Sequence, residues 1–487
     1  MNSVIIAGGG SAGSVLAARL SQNSTRHVTL VEAGPAYRAS DFPAEVKDAT
    51  RLGAFTGADW GYLSTEGHLD HRIAVYRGKV LGGSSAVNGS VFIPPTVTDI
   101  QRWNDTGATS LTEAAYDNAL QRAQVPVHTL STSEMSPMQL RFLDSAGAIG
   151  LCRTQGFDSK RPEGYGPYPV NNIKGIRENV ALSYLTDDVQ SRPNLEIRGG
   201  AVVDRVIFSD VELIRATGVR LADGQELYAD EVILAAGSYG SPAILLRSGV
   251  GPSKHLNKLG IAVRRDLPVG SGLQDHPFYY VAFGADAKKI GTPVPVIGAK
   301  VWTTSTQAAP GELDLHITAT HLIDQTLSPS GAAFVLAVAV TRPKARGSLT
   351  LYSADPNEAP IIDLNFLGEE TDRARLIEGI RLAHKIAGAS PLADIITSYI
   401  SPGPEASDQQ LLEDAKRSLD TYHHPVATTP IGAPGSRYGV VDTYGAVHGI
   451  RALRVVDASI IPDAPSPATN ATVVGLAEII SQDIYHA

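Results

Sequence analysis

The chain opens on an unbroken apolar run, Ser3 to Ala7 (SVIIA), which fits a strand buried on both faces of a parallel sheet. Val15, Leu16, Ala18 and Leu20 then recur at helical spacing and predict a helix over 11–20, and His27 to Val31 reads as a second strand. Far downstream, Glu231 to Gly237 (EVILAAG) is a further buried strand ending in small residues. Beyond Pro277 the pattern changes. The runs FYYVAF (278–283), ELDLHITATHLI (312–323), AAFVLAVAV (332–340) and GSLTLY (347–352) are strands spaced by polar loops, which predicts a largely antiparallel sheet. Helical periodicity marks LTEAAYDNALQRAQV (111–125), Asp372 to Ala389 and Ser407 to Leu419. The expected class is α/β, with a second α+β part built on the antiparallel sheet.

Between the first strand and its helix lies GGGSAG. Gly8, Gly10 and Gly13 have the spacing G-x-G-x-x-G, and Glu32 closes the second strand 19 residues after Gly13. Gly8 permits the tight turn, Gly10 lets backbone approach a pyrophosphate, and Gly13 lets the helix pack closely on the strand. The helix start, with Ser11 and Ala12, offers free N–H groups and a positive dipole end to phosphate. Glu32, followed by Ala33, is placed to accept ribose hydroxyls. Strand, turn, helix, second strand and acid in this order predict a Rossmann-like dinucleotide-binding domain. FAD is expected over a nicotinamide, because the return strand with Gly237 at its end could pass near the nucleotide and no second complete glycine fingerprint follows. A disulfide reductase needs two cysteines near its flavin, and this chain has only Cys152.

Composition narrows the picture further. At 487 residues, two domains sharing a cleft are expected. Hydrophobic content of 43% and charge of 19% are those of an ordinary globular protein. A net charge of −9 with no basic stripe argues against a general nucleic-acid binder. One cysteine excludes an internal disulfide framework and a thiolate zinc site, and no metal is expected. The absence of an 18-residue apolar run predicts no transmembrane helix. A first strand beginning near Ser3 leaves no room for a cleavable signal peptide, so the expected compartment is the cytoplasm.

Two longer motifs carry a family resemblance. Arg77 to Pro95 reads RGKVLGGSSAVNGSVFIPP, and Gly237 to Gly251 reads GSYGSPAILLRSGVG. Taken alone, the first is a glycine-rich turn able to pack against a flat ring or a diphosphate, or simply a surface loop. Together they resemble the two signatures of the glucose–methanol–choline (GMC) oxidoreductases. Similar stretches are DWGY (59–62), LPVGSGLQDHP (267–277), RGSLTLYSADPNEAPIIDLNFL (346–367) and VHGIRALRVVDASIIP (447–462), in family order along essentially the whole chain. The resemblance implies a flavin lined by Val80, Gly83, Asn88 and Gly89, with the Val203 backbone at the adenine. It also implies Asp457 and Ala458 at the phosphate and ribityl region, Trp60 near the cofactor, and Thr469 and Asn470 beside the flavin. The FAD-binding domain is then assembled from 1–100, 155–270 and 435–487, and the substrate-binding domain from 101–154 and 271–434. The stretch Val426 to Gly439 is expected to form a wall of the site.

Flavin oxidation of an alcohol requires a base for the hydroxyl proton and a hydride acceptor at the same carbon. Histidine suits the first task because its ordinary pKa lies near neutrality. YHHPVATTPIG (422–432) resembles the family block H-P-x-G-T-C, in which His424 aligns as the base. His423 is its neighbour, and if the segment is extended the two side chains point apart, so that one faces the flavin. The second family position, normally His or Asn, is Ala468, which can neither donate nor accept a side-chain hydrogen bond. Three readings stay open on sequence alone: an alcohol oxidase or dehydrogenase using His424, a flavin-retaining lyase like the family's hydroxynitrile lyases, and a protein with an inert flavin. The expected partners are a small alcohol and an electron acceptor, dioxygen or another.

Overall fold

The computed structural model describes residues 2–53, 57–154, 156–158, 160, 162–209 and 214–486. Its first layer is a five-stranded parallel sheet in the spatial order Leu195–Arg198, His27–Val31, Ser3–Ala7, Glu231–Leu234, Leu453–Val455. The two central strands are buried along nearly their whole length, as their continuous apolar sequences require. Helix Ser11–Leu20 covers one face and packs against the C-terminal helix Thr469–His486. Arg19 pairs with Glu478 at 2.8 Å across that contact, and the Tyr184 hydroxyl donates to the same carboxylate at 2.6 Å. Gly13 is needed where it stands: a Cβ there would lie 1.9 Å from the Gly8 carbonyl oxygen.

The second layer is a seven-stranded sheet whose main path runs Ile396–Tyr399, Pro277–Ala285, Ala333–Val340, Leu315–Thr320, Ala299–Thr303, Gly164–Pro167. All its pairings are antiparallel, and Asp420–Thr421 adds a short strand beside Pro277–Phe278. Alternation divides its faces. Tyr279, Val281 and Phe283 join the main core, whereas Phe278 and Ala282 form a separate cluster with Val335, Ala337 and Ala339. Helix Glu370–Ala387 packs on this sheet. The class is therefore the expected α/β fold with an antiparallel second sheet.

Some strand readings need correction. GSLTLY does not join the large sheet; Ser348–Thr350 pairs with Ile361–Asp363 in a two-stranded ribbon. Ala299–Thr303 and Ile396–Tyr399 are strands that the apolar pattern did not announce, since Lys300 and polar alternation interrupt them. Gly164–Pro167, inside the 155–270 stretch, is an edge strand of the antiparallel sheet. The segment 111–125 narrows to a helix at Glu113–Arg122, capped by Thr112, between two further helices at Val97–Asp105 and Pro137–Ala148. Among the described residues no helix is long and apolar enough to cross a membrane.

Candidate active site

A cavity of about 470 Å³ opens where the parallel strands end and the antiparallel sheet begins. That volume falls in the range of small-molecule and cofactor sites. Ala7 and Gly8, Val31 and Glu32, and Ala235 to Gly237 contribute from the carboxyl ends of three parallel strands, the usual binding edge of such a sheet. Ser11 and Ala12, and Thr469 and Asn470, bring two helix N-termini to the same cavity, which favours an anionic ligand. The Glu32 carboxylate accepts from the Gly9 and Gly34 N–H groups, both at 2.8 Å, and burial pushes its pKa up to about 7. It therefore ties the glycine turn to the second strand through its own chain.

The loop around Gly82 and Gly83 docks on that turn. Both glycines have positive φ, +95° and +53°, which explains why the pair is glycine. The Gly82 N–H donates to the Gly9 carbonyl at 2.8 Å, and a Cβ on Gly83 would come within 2.7 Å of Gly10 Cα. Two bare backbones thus face each other across the entry to the cavity. Asp457 closes the other side: its carboxylate accepts from Gly237 N–H, Ser241 Oγ, Ser459 N–H and Ser459 Oγ at 2.5–2.9 Å. Asn470 accepts from Ser11 Oγ at 2.9 Å, while its Nδ2 is buried with no protein partner. A buried donor in this position calls for a ligand acceptor.

The antiparallel sheet supplies the rest of the lining. Phe278, Tyr280, Thr318 and Thr320 come from its cavity face, with Ile297, Leu322 and Tyr422 beside them. Phe278 and Tyr422 stack at 4.3 Å between ring centroids. Thr318 Oγ1 lies 2.5 Å from the Tyr168 hydroxyl and 2.7 Å from His316 Nε2, a buried polar cluster behind the wall. His423 and His424 both line the cavity. Expected alternation fails between them because His423 takes φ +63°, in the left-handed region, which turns the chain. His423 Nδ1 is buried without a partner and its ring tilts against Tyr76, with burial and then Arg77 lowering its pKa to about 3. His424 Nδ1 lies 3.1 Å from Nδ1 of His276. Burial, then His276, Arg77, His423 and Lys300, hold the His424 pKa well below the ordinary histidine value.

Comparison with known proteins now decides the family. The amino-terminal pattern of the GMC oxidoreductases matches residues 2–278 and the carboxy-terminal pattern matches 343–477. The chain is a GMC oxidoreductase. An oxygen-dependent choline dehydrogenase from Rhizobium johnstonii is 31% identical over 94% of this chain and 91% of its own length. An alcohol dehydrogenase (acceptor) from Pseudomonas putida is 32% identical over 98% of this chain and 94% of its own. Pyridoxine 4-oxidase from Mesorbium loti superposes with a TM-score of 0.90 over 100% of both chains, at 27% identity. A formate oxidase shares the fold, with a TM-score of 0.88 over 99% of this chain and 97% of its own, at 24% identity. This GMC oxidoreductase takes FAD, and the glycine turn, the two helix N-termini and the unpartnered Asn470 amide fit that cofactor.

Of the residues singled out by sequence in this GMC oxidoreductase, the cavity is lined by Gly8, Gly10, Ser11, Ala12, Glu32, Ala33, Trp60, Gly83, Asn88, Gly89, Val203, Gly237, Asp457, Ala458, Thr469, Asn470, His423 and His424. Gly13 and Val80 do not line it. Gly13 sits in the helix–strand contact, and the Val80 backbone is packed against Gly34, where a Cβ would fall 2.6 Å from Val80 N. The wall expected from Val426 to Gly439 is absent as well. In this segment the lining ends at Pro425; Val426 to Gly432 are buried, with Thr429 and Ile431 N–H groups bonded to the Ser459 and Ile460 carbonyls, and residues 433–437 are exposed. Sequence reasoning missed Asp275 and His276, although both lie in the LQDHP stretch it quoted. It missed the lining residues Phe278, Tyr280 and Thr318 too, because strand alternation is blind to which face of a sheet becomes the cavity wall.

Proposed function

We propose that this enzyme oxidises an alcohol to a carbonyl compound, with His424 as the general base for the hydroxyl proton. The supporting observation is a buried imidazole in the cavity wall with one protein partner, at Nδ1; its Nε2 has no protein hydrogen bond among the described residues. Depression of its pKa by burial keeps that nitrogen a neutral acceptor at physiological pH. FAD, when bound, supplies the acceptor for the hydride that leaves the alcohol carbon. Gly8, Gly10, Ser11, Ala12 and Glu32 would hold its dinucleotide end, Val203 its adenine, and Gly83, Asn88, Gly89, Ala458, Thr469 and Asn470 the remainder. Trp60, Asp457 and Gly237 complete that lining.

Choline, alcohols and pyridoxine in the relatives' names support an alcohol as substrate. Phe278, Tyr280, Tyr422, Ile297 and Leu322 on the antiparallel side suit one with an apolar or aromatic body. The test is anaerobic mixing of the FAD-loaded protein with a panel of aliphatic, aromatic and quaternary-ammonium alcohols, followed by admission of air. Bleaching of the flavin absorbance by at least one alcohol is expected. A panel that leaves the absorbance unchanged throughout would overturn the reading.

A further inference from the structure

In place of a hydrogen-bonding side chain at Ala468, the structure offers another partner to His424. His276 is fully buried, stands behind His424 rather than in the cavity lining, and meets it at 3.1 Å between the two Nδ1 atoms. The rings are nearly perpendicular, at 83°. A single carboxylate registers the two histidines. Asp275 accepts from the His276 N–H at 2.7 Å, the His424 N–H at 2.8 Å and Thr421 Oγ1 at 2.7 Å. The Tyr422 N–H also donates to the His276 carbonyl at 2.9 Å. The contact is thus held from both backbones and does not depend on a flexible side chain.

Two imidazole nitrogens at this distance need one proton between them, so the tautomers are complementary. The Pro465 carbonyl, an acceptor, is the backbone group that acts on the His276 ring, and the ring's Nε2 is buried with no hydrogen bond formed, so this carbonyl is the acceptor at hand for it. An acceptor there favours the proton on Nε2, which leaves His276 Nδ1 as a lone pair. His424 must then carry its proton on Nδ1 and donate it, which leaves its Nε2 bare toward the cavity. We propose that His276 is the positioning residue for His424, holding it in the Nδ1–H tautomer whose Nε2 accepts the substrate proton. When the alcohol O–H bond breaks and the proton passes to Nε2, the new imidazolium keeps its Nδ1–H donated to His276, now a charge-assisted bond. Carboxylates do this for histidine in hydrolase triads; here a neutral imidazole does it, in a pocket where Arg77, Lys300, His316 and His423 are the other basic neighbours.

This inference rests on His424 being the base, and its test separates the two. The FAD-loaded protein is labelled with ¹⁵N-histidine, and the resonances among its 13 histidines are assigned with His424→Gln and His276→Asn. Nδ1–H is expected for His424 and Nε2–H for His276; the reverse pattern overturns the proposal without any reference to activity. His276→Leu, similar in size but without an acceptor, is expected to slow flavin reduction about ten- to a hundredfold, the usual effect of losing an outer-shell partner. His276→Asn, whose amide oxygen can occupy the Nδ1 position, is expected to restore most of that loss and the Nδ1–H tautomer. Equal rates for His276→Leu and the parent, with His424→Ala strongly impaired, would sink the positioning role alone. An unimpaired His424→Ala would instead remove the base and the proposal with it.

Discussion

Asp275 is the residue on which the geometry behind His424 depends, and its replacement can be worked through in numbers. Burial pushes its pKa up to about 6 from the ordinary aspartate value of 3.8, so ionising it in the folded state is unfavourable. Since the folded value is the higher one, the penalty is absent below about pH 3.8, grows above it and is complete above about pH 6. A difference of roughly two units corresponds to about 3 kcal/mol at pH 8. Asp275→Asn removes the charge but keeps an oxygen for the His276 and His424 N–H groups, and its amide can donate to Thr421 Oγ1. It should therefore be at least as stable as the parent at pH 8, with the advantage falling to about half at pH 5. Asp275→Ala also removes the charge, so that relief cancels between the two variants. What differs is, at the least, two buried N–H groups left unpaired, each worth about 1–3 kcal/mol, in addition to the Thr421 hydroxyl that loses its partner. Asp275→Ala is thus expected to fall about 2–6 kcal/mol below Asp275→Asn. Urea unfolding of the FAD-loaded proteins, followed by flavin release and tryptophan fluorescence at pH 8 and pH 5, measures both. Coincident midpoints for the two variants would refute the idea that this carboxylate registers the histidine segments.

The other predictions concern chemistry and cofactor. His424→Ala should lower the rate of flavin reduction about 10²–10⁴-fold at normal FAD content, while His423→Ala should cost much less; stopped-flow reduction decides, and a reversed ranking would move the base to His423. Because the His424 pKa is held well below that of an ordinary histidine, the reduction rate should stay flat on acidification from pH 8.5 through 6.5 and decline only further down. An acid limb centred near pH 6.5 in the rate profile would contradict that burial effect. Gly13→Ala places a Cβ 1.9 Å from the Gly8 carbonyl oxygen, so the variant should be purified with little or no FAD, read from the ratio of flavin to protein absorbance. Full FAD occupancy in that variant would mean the helix can shift off the strand at little cost.

Much of the cofactor side was legible in the residue order. A buried parallel strand, a glycine turn and a helix start are consecutive in the chain, and each requirement is local: Gly13 must lack a Cβ because of Gly8, five residues away. The same locality explains why Gly8, Gly10, Ser11, Ala12 and Glu32, all singled out from the sequence, line the cavity together. Val80 does not line the cavity, for a complementary reason. Gly78 and Gly83 on either side of it do line the site, but whether one residue in a looped segment faces in or out depends on what it packs against, here the backbone at Gly34.

The substrate side was decided by tertiary structure. His276 and His424 are 148 residues apart, and the pairing of Asp420–Thr421 with Pro277–Phe278, together with the bridge between Gln274 and Val426, brings them to 3.1 Å. The turn at His423, which leaves both histidines in the lining, depends on a positive φ that no periodic pattern announces, so alternation misled there. Phe278, Tyr280 and Thr318 alternate with core residues as any strand residues do, and which face became the cavity was settled by docking the antiparallel sheet against the parallel one. Sequence alone determined the nucleotide-binding turn, because its steric and dipolar demands act between near neighbours. The tertiary structure decided the partner of the base, because a hydrogen bond between two imidazoles depends on distances that only the packed sheets set.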